Sequence, residues 1–365
     1  MSVIALLSLC IWLYLFFAHG DFWKSRPELP DRIPAVAPSV DIVVPARDEA
    51  ETIHAAIGSL LAQDYPGSYG VVLVDDDSTD GTAAAAGTAA NLRIIRGAPK
   101  PPGWSGKLWA LNQGISVSNA QLLLLTDADI VHDPRHLASL VAQLESAELD
   151  FVSEMVRLNC TSLAERALVP AFVYFFQMLY PFAKVNDPRS SAAAAAGGTV
   201  LIRRETLERI GGIATIKGAL IDDVALAGAV KPIGRIFLGH SRLAASIRRY
   251  PEIRDIWRMI SRTAFTQLRH SAVLLALTLV ALALVWLAPP WNAAFGRGAA
   301  QPAGICACVL AAASYLPTLM RYQRNKLWVL ALPAIALFYM AATVASAVNF
   351  WRGKGANWKN RAYQN

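Results

Sequence analysis

Residues 121–133 read QLLLLTDADIVHD. An unbroken run of leucines that ends in acids is typical of a strand buried on both faces of a sheet. Asp127 and Asp129 then stand at the C-terminal end of that strand, where open α/β sheets bind their ligands. Two carboxylates so close in sequence repel each other unless a cation lies beside them. We therefore interpret both as candidate ligands of Mg²⁺ or Mn²⁺, which prefer carboxylate oxygens, with a solvated loop as the alternative.

Upstream of this stretch, strands and helices are predicted to alternate. Such a succession of βαβ units is typical of an α/β fold with a mostly parallel sheet and helices on both faces. Since parallel strands end on the same side, the residues that follow them are expected along one edge of the sheet. The predicted strands lie at 40–44, 71–74, 92–95 and 122–126, and the predicted helices at 49–63, 81–90 and 106–118.

Acids also follow the first two predicted strands. The first strand ends in PARDE at residues 45–49, and the second ends in DDDSTDG at residues 75–81. Three consecutive acids repel one another, so hydrogen bonds or a ligand must offset the cost. Helix capping by Ser78 or Asp80 accounts for part of the second loop, but Asp76 and Asp77 exceed what a cap requires. The pattern favours ligand binding at this loop.

The apolar residues concentrate at the two ends of the chain. They make up 55% of the sequence and charged residues only 17%, which is typical of a membrane protein. Residues 1–18 carry no charge and lack the basic start and cleavage site of a secretory signal, which predicts an uncleaved transmembrane anchor. Three further apolar segments lie at 271–287, 303–320 and 327–350, and four prolines within residues 20–39 predict a stiff tether.

Basic residues lie mainly beside the apolar segments, which places the domain between them in the cytoplasm by the positive-inside rule. The net charge of +7 is therefore attributed to anionic lipid head groups, and no nucleic-acid partner is expected. We interpret three arginines near the end of the domain, Arg248, Arg249 and Arg262, as lipid-facing or solvated. Contact with a diphosphate is the alternative. Four full spans would put the basic tail outside, so either one segment is re-entrant or the rule fails here. The predicted organisation is an anchor at 1–19, a tether at 20–39, a cytosolic domain at 40–270 with interfacial helices, transmembrane or re-entrant segments at 271–350, and a basic tail at 351–365.

A glycine-rich loop, PGWSGKLWALN at residues 102–112, precedes and enters a predicted helix. A lysine in the first turn of such a helix suits anion binding, which makes Lys107 a candidate ligand of a phosphate. Trp104 is a candidate for contact with an acceptor or a membrane surface. A solvated lysine and a packed aromatic residue are the structural alternatives. The apolar helix predicted at 164–183 is either interfacial or part of a core.

Three motifs in this order resemble the nucleotide-sugar-binding half of the family 2 inverting glycosyltransferases, which have the GT-A fold. They are VVPARDEAETI at 43–53, VLVDDDSTDGT at 72–82 and LLLLTDADI at 122–130. The resemblance implies that Asp127 and Asp129 hold the metal on the donor diphosphate. It also implies a set of residues around the nucleobase and ribose, namely Pro45, Arg47, Glu49 and Asp76.

The second half of the domain supplies the residues expected at the acceptor. IDDVAL at residues 221–226 resembles the Glu-Asp-x-x-Leu element of the family, which implies that Asp223 is the catalytic base and that Asp222 replaces the glutamate. Inverting transfer needs such a carboxylate to take the acceptor proton. Helix capping is an equally good account of Asp222. Gly197 and Gly198 precede a predicted strand and would let an acceptor approach the backbone.

The resemblance extends most clearly to the bacterial hopene-associated glycosyltransferases. It implies a multi-pass protein of the bacterial inner membrane that transfers a sugar from a UDP-sugar to a hopanoid or polyprenoid lipid. Residues 267–270, QLRH, only echo the Gln-x-x-Arg-Trp element of processive members, which argues against a polymerase. Two other hypotheses remain open at this point. They are a nucleotidyltransferase on the same fold and a non-catalytic membrane protein that binds a nucleotide or a sugar lipid.

Overall fold

The computed structural model describes residues 2–353 and the backbone of residues 357–358 and 361–362. Lys354 and Lys359 of the predicted basic tail lie outside the described residues. The chain forms two compact units. The first comprises residues 2–26, 160–183 and 249–353, and the second comprises residues 27–159 and 184–248.

The second unit contains an eight-stranded mixed sheet. Its strand order is β3-β2-β1-β4-β7-β6-β8-β5, and β7 and β5 run against the other strands. The mostly parallel α/β sheet predicted from the sequence is therefore confirmed. The strands are β1 (Val40–Ala46), β2 (Tyr69–Asp75), β3 (Leu92–Arg96), β4 (Leu122–Thr126), β5 (Ile130–His132), β6 (Phe151–Arg157), β7 (Thr199–Arg203) and β8 (Ile236–Ser246).

Helices cover both faces of this sheet because successive side chains of a strand point to opposite sides. Ile42 and Val44 of β1 belong to a core that also contains residues of α2 and α5. Val43 points the other way and contacts Gly114 of α4. The predicted helix at 81–90 is shorter than expected, because Gly87 has a φ of +76° and ends it. The helices up to β8 are α1 (Ser2–Phe17), α2 (Ala50–Leu61), α3 (Thr82–Ala85), α4 (Gly106–Ser116), α5 (His136–Ser146), α6 (Leu163–Leu179), α7 (Phe182–Asn186), α8 (Arg204–Arg209) and α9 (Asp222–Val230).

Part of the predicted tether is docked in the second unit. The N–H of Leu29 donates to the carbonyl of His240 at 2.8 Å, and the N–H of His240 donates to the carbonyl of Pro27 at 2.8 Å. Leu29 is also buried in the core beside the sheet. This end of the proline-rich segment therefore pairs with the edge of β8, because its backbone groups form hydrogen bonds with that strand.

The long apolar helices lie in the first unit. Three helices among the described residues are long and apolar enough to cross a membrane: Ala272–Phe295, Ala300–Arg321 and Lys326–Trp351. They contain or overlap the three segments predicted near the C-terminus. The N-terminal helix α1 has 16 residues, fewer than the ~20 that usually span a bilayer, so the anchor stays a prediction. The remaining helices are α10 (Ile253–Gln267), α11 (Ala272–Leu282), α12 (Ala288–Phe295), α13 (Ala300–Arg321) and α14 (Leu332–Trp351).

Two segments placed in the cytosolic domain from the sequence belong to this first unit. Tyr174 of α6 is fully buried, and its hydroxyl lies 2.6 Å from that of Ser314 on α13. The backbone N–H of Phe265 on α10 donates to the hydroxyl of Ser346 on α14 at 3.0 Å. Within residues 164–183 the structure shows a packed helix, and a position of this helix at a membrane surface stays a prediction. The apolar side chains of α6 and α10 pack against the C-terminal helices, so both helices belong to the first unit.

Candidate active site

A cleft of about 360 Å³, counting the space open to solvent, lies at the C-terminal ends of β1 and β4. Parallel pairing matches Val43 of β1 with Leu125 of β4, so the residues that follow both strands meet at one edge. The starts of α4 and α9 complete the wall. The polar lining is Lys107, Thr126, Asp127, Asp222 and Asp223, and the remaining lining is Pro45, Leu108, Leu111, Leu125, Gly197, Val200, Ile213, Ile216 and Leu226.

Lys107 joins the two acidic sides of this cleft. Ser105 caps α4 by accepting a hydrogen bond from the N–H of Leu108 at 3.2 Å, and Lys107 therefore lies in the first turn. Its ammonium nitrogen is 2.8 Å from Asp127 Oδ1 and 3.0 Å from Asp222 Oδ2. Burial alone would lower the pKa of Lys107, but the two carboxylates outweigh burial and hold it well above its usual value. Lys107 is thus a fixed cation between β4 and α9.

Asp222 and Asp223 are the first residues of α9. The N-cap position is Ile221, so Asp222 is not the N-cap that was the alternative for it, and its carboxylate faces Lys107 instead. Burial raises the pKa of Asp223 to about 7, the Asp222 charge adds to this rise, and Lys107 opposes it. A carboxyl group that titrates near neutral pH is suited to general base catalysis.

The two predicted acceptor glycines differ in their surroundings. A Cβ on Gly197 would lie 3.2 Å from Asp223 Oδ2, so a larger residue there would press on the proposed base. A Cβ on Gly198 would lie 3.0 Å from a methyl group of Val156 and close to Ile130. Gly198 therefore allows close packing in the core, whereas Gly197 lines the cleft.

The loop after β1 contacts the loop after β2. The guanidinium group of Arg47 donates to the carbonyl oxygen of Asp76 and lies 3.9 Å from the carboxylate of that residue. Asp76 is almost completely buried, and its N–H donates to the carbonyl of Ala46 at 2.8 Å. Parallel pairing of β1 with β2 produces this contact by placing Ala46 opposite Asp75. The predicted nucleobase residues Arg47 and Asp76 thus lie together.

Arg248 connects two other predicted site residues. Its Nε donates to Asp129 Oδ2 at 2.7 Å, and its Nη2 lies 2.5 Å from Glu49 Oε1. The antiparallel pairing of Ile130 with Ser246 brings the end of β8 beside Asp129. The sequence favoured a lipid-facing or solvated position for Arg248, whereas the structure pairs this side chain, which is 32% exposed, with two predicted site carboxylates. Nothing local in the sequence marks the partner of an arginine that follows a strand, because the pairing of that strand decides it.

Trp104 and Asp129 lie outside the set of residues that line the cleft. The ring of Trp104 packs edge-on against Trp109 with centroids 5.2 Å apart. Asp129 is 7% exposed and is held by Arg248 and by the hydroxyl of Ser246, which donates to it at 3.2 Å. The structure therefore brings together Pro45, Lys107, Asp127, Gly197, Asp222 and Asp223, whereas Glu49 and Asp129 meet through Arg248.

The acids of the site fit a cation that a substrate helps to bind. Within the part of the chain that the structure describes, no three His, Cys, Asp or Glu side chains form a metal site by themselves. Asp127, Asp222 and Asp223 line the cleft together with a single lysine, so carboxyl groups outnumber cations there. Such hard oxygen donors suit Mg²⁺ or Mn²⁺, which commonly use one or two carboxylates and complete their shell with substrate phosphates and water. Asp127 and Asp129 are the residues that would hold it.

Comparisons with known proteins concern the family and the fold of this chain. Residues 41–211 match the family model described as Glycosyl transferase family 2. A dodecaprenyl-phosphate galacturonate synthase of Rhizobium johnstonii is 30% identical over 33% of this chain, and the glycosyltransferase AglE of Haloferax volcanii is 31% identical over 35% of it. The matched stretch spans 36% and 44% of the lengths of these relatives.

One solved structure resembles nearly the whole chain. It is a mannosyltransferase of Pyrobaculum calidifontis, in complex with GDP-Man and Mn²⁺, which aligns over 97% of this chain and 99% of its own with a TM-score of 0.60. The two sequences are 22% identical, so the likeness concerns the fold. It confirms the predicted fold class.

Proposed function

We propose that this chain, whose residues 41–211 match the Glycosyl transferase family 2 model, transfers a sugar from a nucleoside-diphosphate sugar to a membrane lipid with inversion. One observation carries the proposal. Asp127 at the end of β4 and Asp223 at the start of α9 line the same cleft, with Lys107 between them and the apolar side chains of Ile213 and Leu226 beside them. A donor site, a base and an apolar wall thus meet in one place.

The donor is assigned to the edge formed by β1, β2 and β4. Pro45, Arg47, Glu49 and Asp76 would hold the nucleobase and ribose of a UDP-sugar. Lys107 and Asp127 would face its diphosphate, since a lysine at a helix N-terminus attracts phosphate oxygens. A Mg²⁺ or Mn²⁺ ion on Asp127 and Asp129 would neutralise charge that develops on the leaving diphosphate. The mannosyltransferase of similar fold was solved with such a pair, GDP-Man and Mn²⁺.

Asp223 is assigned as the base. Its carboxylate takes the proton of an acceptor hydroxyl while the oxygen attacks the anomeric carbon, and the bond from that carbon to the nucleoside diphosphate breaks on the opposite face. At a pKa of about 7, a substantial fraction of the Asp223 carboxyl group is ionised at neutral pH, and the carboxylate is basic enough to hold the proton that it takes.

The presence of a base also limits the chemical class of the acceptor. A lipid hydroxyl is neutral and needs a base, whereas a lipid phosphate already carries negative charge at pH 7 because its second pKa is ~6. The partly buried Asp223 therefore favours a hydroxyl lipid such as a hopanoid. A polyprenyl phosphate is the second candidate, favoured by the name of the Rhizobium relative, a dodecaprenyl-phosphate galacturonate synthase.

We assign the protein to the bacterial inner membrane with its sheet domain in the cytosol. Among the residues that the structure describes, three helices are long and apolar enough to span a bilayer, and arginines precede the first of them. Basic residues beside spans are retained on the cytoplasmic side, which is also the side that contains nucleotide sugars.

The test uses membranes that contain the full-length chain. They are supplied with radiolabelled UDP- or GDP-sugars and either a hydroxyl lipid or a polyprenyl phosphate, and the lipid extract and the released nucleotide are analysed. Transfer of label to lipid with release of a nucleoside diphosphate is the expected result. Release of pyrophosphate would identify a nucleotidyltransferase instead. Donor binding without turnover, unchanged in Asp223→Asn, would identify a non-catalytic binding protein.

A further inference from the structure

Behind the cleft, the sheet domain contains a buried chain of polar side chains that the proposed reaction does not use. It runs from Glu154 in β6 through His136 and His132 to Thr126, the last residue of β4, and all four side chains are at most 3% exposed. Burying four polar groups costs free energy unless each is hydrogen-bonded. The chain ends at the lining of the cleft, because Thr126 is part of that lining.

The four side chains contact one another in sequence. The carboxylate of Glu154 meets His136 Nε2, and His136 Nδ1 lies 2.8 Å from His132 Nδ1. His132 Nε2 is 3.2 Å from the hydroxyl of Thr126, which in turn donates to the carbonyl oxygen of Gly198 at 2.8 Å. The chain therefore has a carboxylate at one end and a carbonyl at the other, and these end groups accept hydrogen bonds.

The number of available protons determines which group donates and which accepts in each of these hydrogen bonds. Four hydrogen bonds need four protons, but one hydroxyl and two neutral imidazoles supply only three, and an ionised Glu154 supplies none. Since the carbonyl of Gly198 can only accept, Thr126 donates to it and accepts from His132 Nε2. His132 Nδ1 then accepts from His136 Nδ1. One additional proton, shared between His136 and Glu154, is needed to complete the series.

Two observations agree with this count. Burial lowers the pKa of His132 well below its usual value, and a positive charge on His136 lowers it further, so His132 is the neutral member. Glu154 Oε2 is buried and has no hydrogen-bond partner among the described residues. A buried carboxylate with no proton nearby would be costly, whereas a proton shared between Glu154 and His136 offsets its charge.

The far end of the chain reaches both sides of the cleft. The carbonyl of Gly198 that accepts from Thr126 also accepts from the N–H of Asp127 at 3.4 Å. The neighbouring residue, Gly197, is the one whose Cα faces Asp223. A shift of the Gly197–Gly198 backbone would therefore move Asp127 and Asp223 relative to each other.

We propose that Glu154, His136, His132 and Thr126 form a proton-holding positioning chain that fixes the Gly197–Gly198 backbone between the donor side and the base side of the cleft. These are positioning residues, since they act on the reacting groups through Thr126 and Gly198. The consequence for turnover rests on the proposed function, whereas the extra proton does not.

The proton count predicts that two substitutions of Glu154 have different effects. In Glu154→Gln, the new amide can donate to His136 Nε2, so that both imidazoles are neutral and all four hydrogen bonds remain. In Glu154→Leu, a leucine of similar volume offers no partner to His136. We expect Glu154→Gln to retain the wild-type kcat within about threefold. Glu154→Leu and Thr126→Val should lose on the order of 10- to 100-fold in kcat, with the donor KM nearly unchanged, because a small misplacement is enough for such a loss.

The experiment measures kcat and donor KM for the three full-length variants, together with ¹⁵N spectra of histidine-labelled protein. The wild type should show the additional proton, either as one imidazolium with both ring nitrogens protonated or as a neutral Glu154 carboxyl in ¹³C spectra of glutamate-labelled protein, and Glu154→Gln should show two neutral imidazoles. Equal loss of kcat in Glu154→Gln and Glu154→Leu, or two neutral imidazoles beside an ionised Glu154 in the wild type, would overturn the proposal. If Glu154→Leu fails to fold, Thr126→Val and Glu154→Gln carry the comparison. The spectra remain decisive even if the protein transfers no sugar.

Discussion

The ammonium nitrogen of Lys107 lies 2.8 Å from Oδ1 of Asp127, so the first turn of α4 is tied to the end of β4. The same nitrogen lies 3.0 Å from Asp222 Oδ2. A positive charge thus stands between the proposed donor side and the proposed base side. Both sides respond to it, since the Lys107 charge opposes the rise in the pKa of Asp127 and of Asp223.

Removal of this charge should change the pH dependence of transfer. In Lys107→Met the pKa of Asp223 is expected to rise above its value of about 7, because the charge that opposes the rise is lost. Less base is then ionised at pH 7, and the acidic limb of the kcat/KM profile moves to higher pH. Asp222→Asn should move the same limb to lower pH, because the Asp222 carboxylate raises the pKa of Asp223. Lys24→Met, at an ion pair with Asp21 in the first unit, serves as the control. Shifts in the same direction for both cleft variants would contradict this account.

The wild-type pH profile follows from the role of Asp223. The base must be ionised, so kcat/KM should fall about tenfold per pH unit below a pH of about 7 and level off above it. Asp223→Asn should reduce kcat on the order of 10²- to 10⁴-fold with the fold intact, since a positioned base contributes that much. Steady-state kinetics with a hydroxyl lipid measures both effects. A variant as active as the wild type would remove Asp223 from the mechanism.

Arg248 should affect donor binding. A guanidinium group reaches two carboxylates at once, Glu49 at 2.5 Å and Asp129 at 2.7 Å, which a single lysine ammonium cannot do with the same geometry. We expect Arg248→Lys to raise the donor KM roughly tenfold, the effect of losing one charged hydrogen bond. Arg242→Lys is a matched control, since that side chain is 80% exposed in its ion pair with Glu28. Equal KM values for the two variants would show that the bridge has no influence on the donor.

Removal of divalent cations should stop transfer. Treatment with a chelator is expected to abolish activity, and Mg²⁺ or Mn²⁺ should restore it, because the carboxylates of Asp127 and Asp129 are hard oxygen donors. Asp129→Asn should raise the metal concentration needed for half-maximal activity. The measurement is label transfer to lipid during a metal titration. Full activity in excess chelator would exclude the metal role proposed for this pair.

Two glycines in helices should respond to alanine in opposite ways. A Cβ on Gly114 of α4 would lie 2.4 Å from Val43 Cγ1, so Gly114→Ala should lower the free energy of unfolding by about 1–3 kcal/mol through overpacking. Gly58 of α2 has no atom within 4 Å of its added Cβ, and Gly58→Ala should raise the free energy by ~1 kcal/mol through helix propensity. Denaturant unfolding in detergent measures both. Stabilisation by Gly114→Ala would show that α4 packs less closely on β1.

The strands and the edge at which the acids gather could be predicted from the sequence. Four leucines before Asp127, and apolar runs before Pro45 and Asp75, mark β4, β1 and β2 by local composition alone. Parallel strands end on one side, so the meeting of their C-terminal residues follows without knowledge of any contact. The apolar helices near the C-terminus were equally evident, since length and composition suffice to recognise them.

The partners of the charged and polar side chains were decided by the tertiary structure. Whether Asp222 caps a helix or faces Lys107 depends on how α9 is placed against α4, and the position of Arg248 between Glu49 and Asp129 depends on the antiparallel pairing of β5 with β8. The chain of Glu154, His136, His132 and Thr126 joins three strands and a helix that are separate in sequence. Local periodicity records whether a residue is buried, but a hydrogen bond between distant segments needs strand order and register, and only the folded chain supplies these.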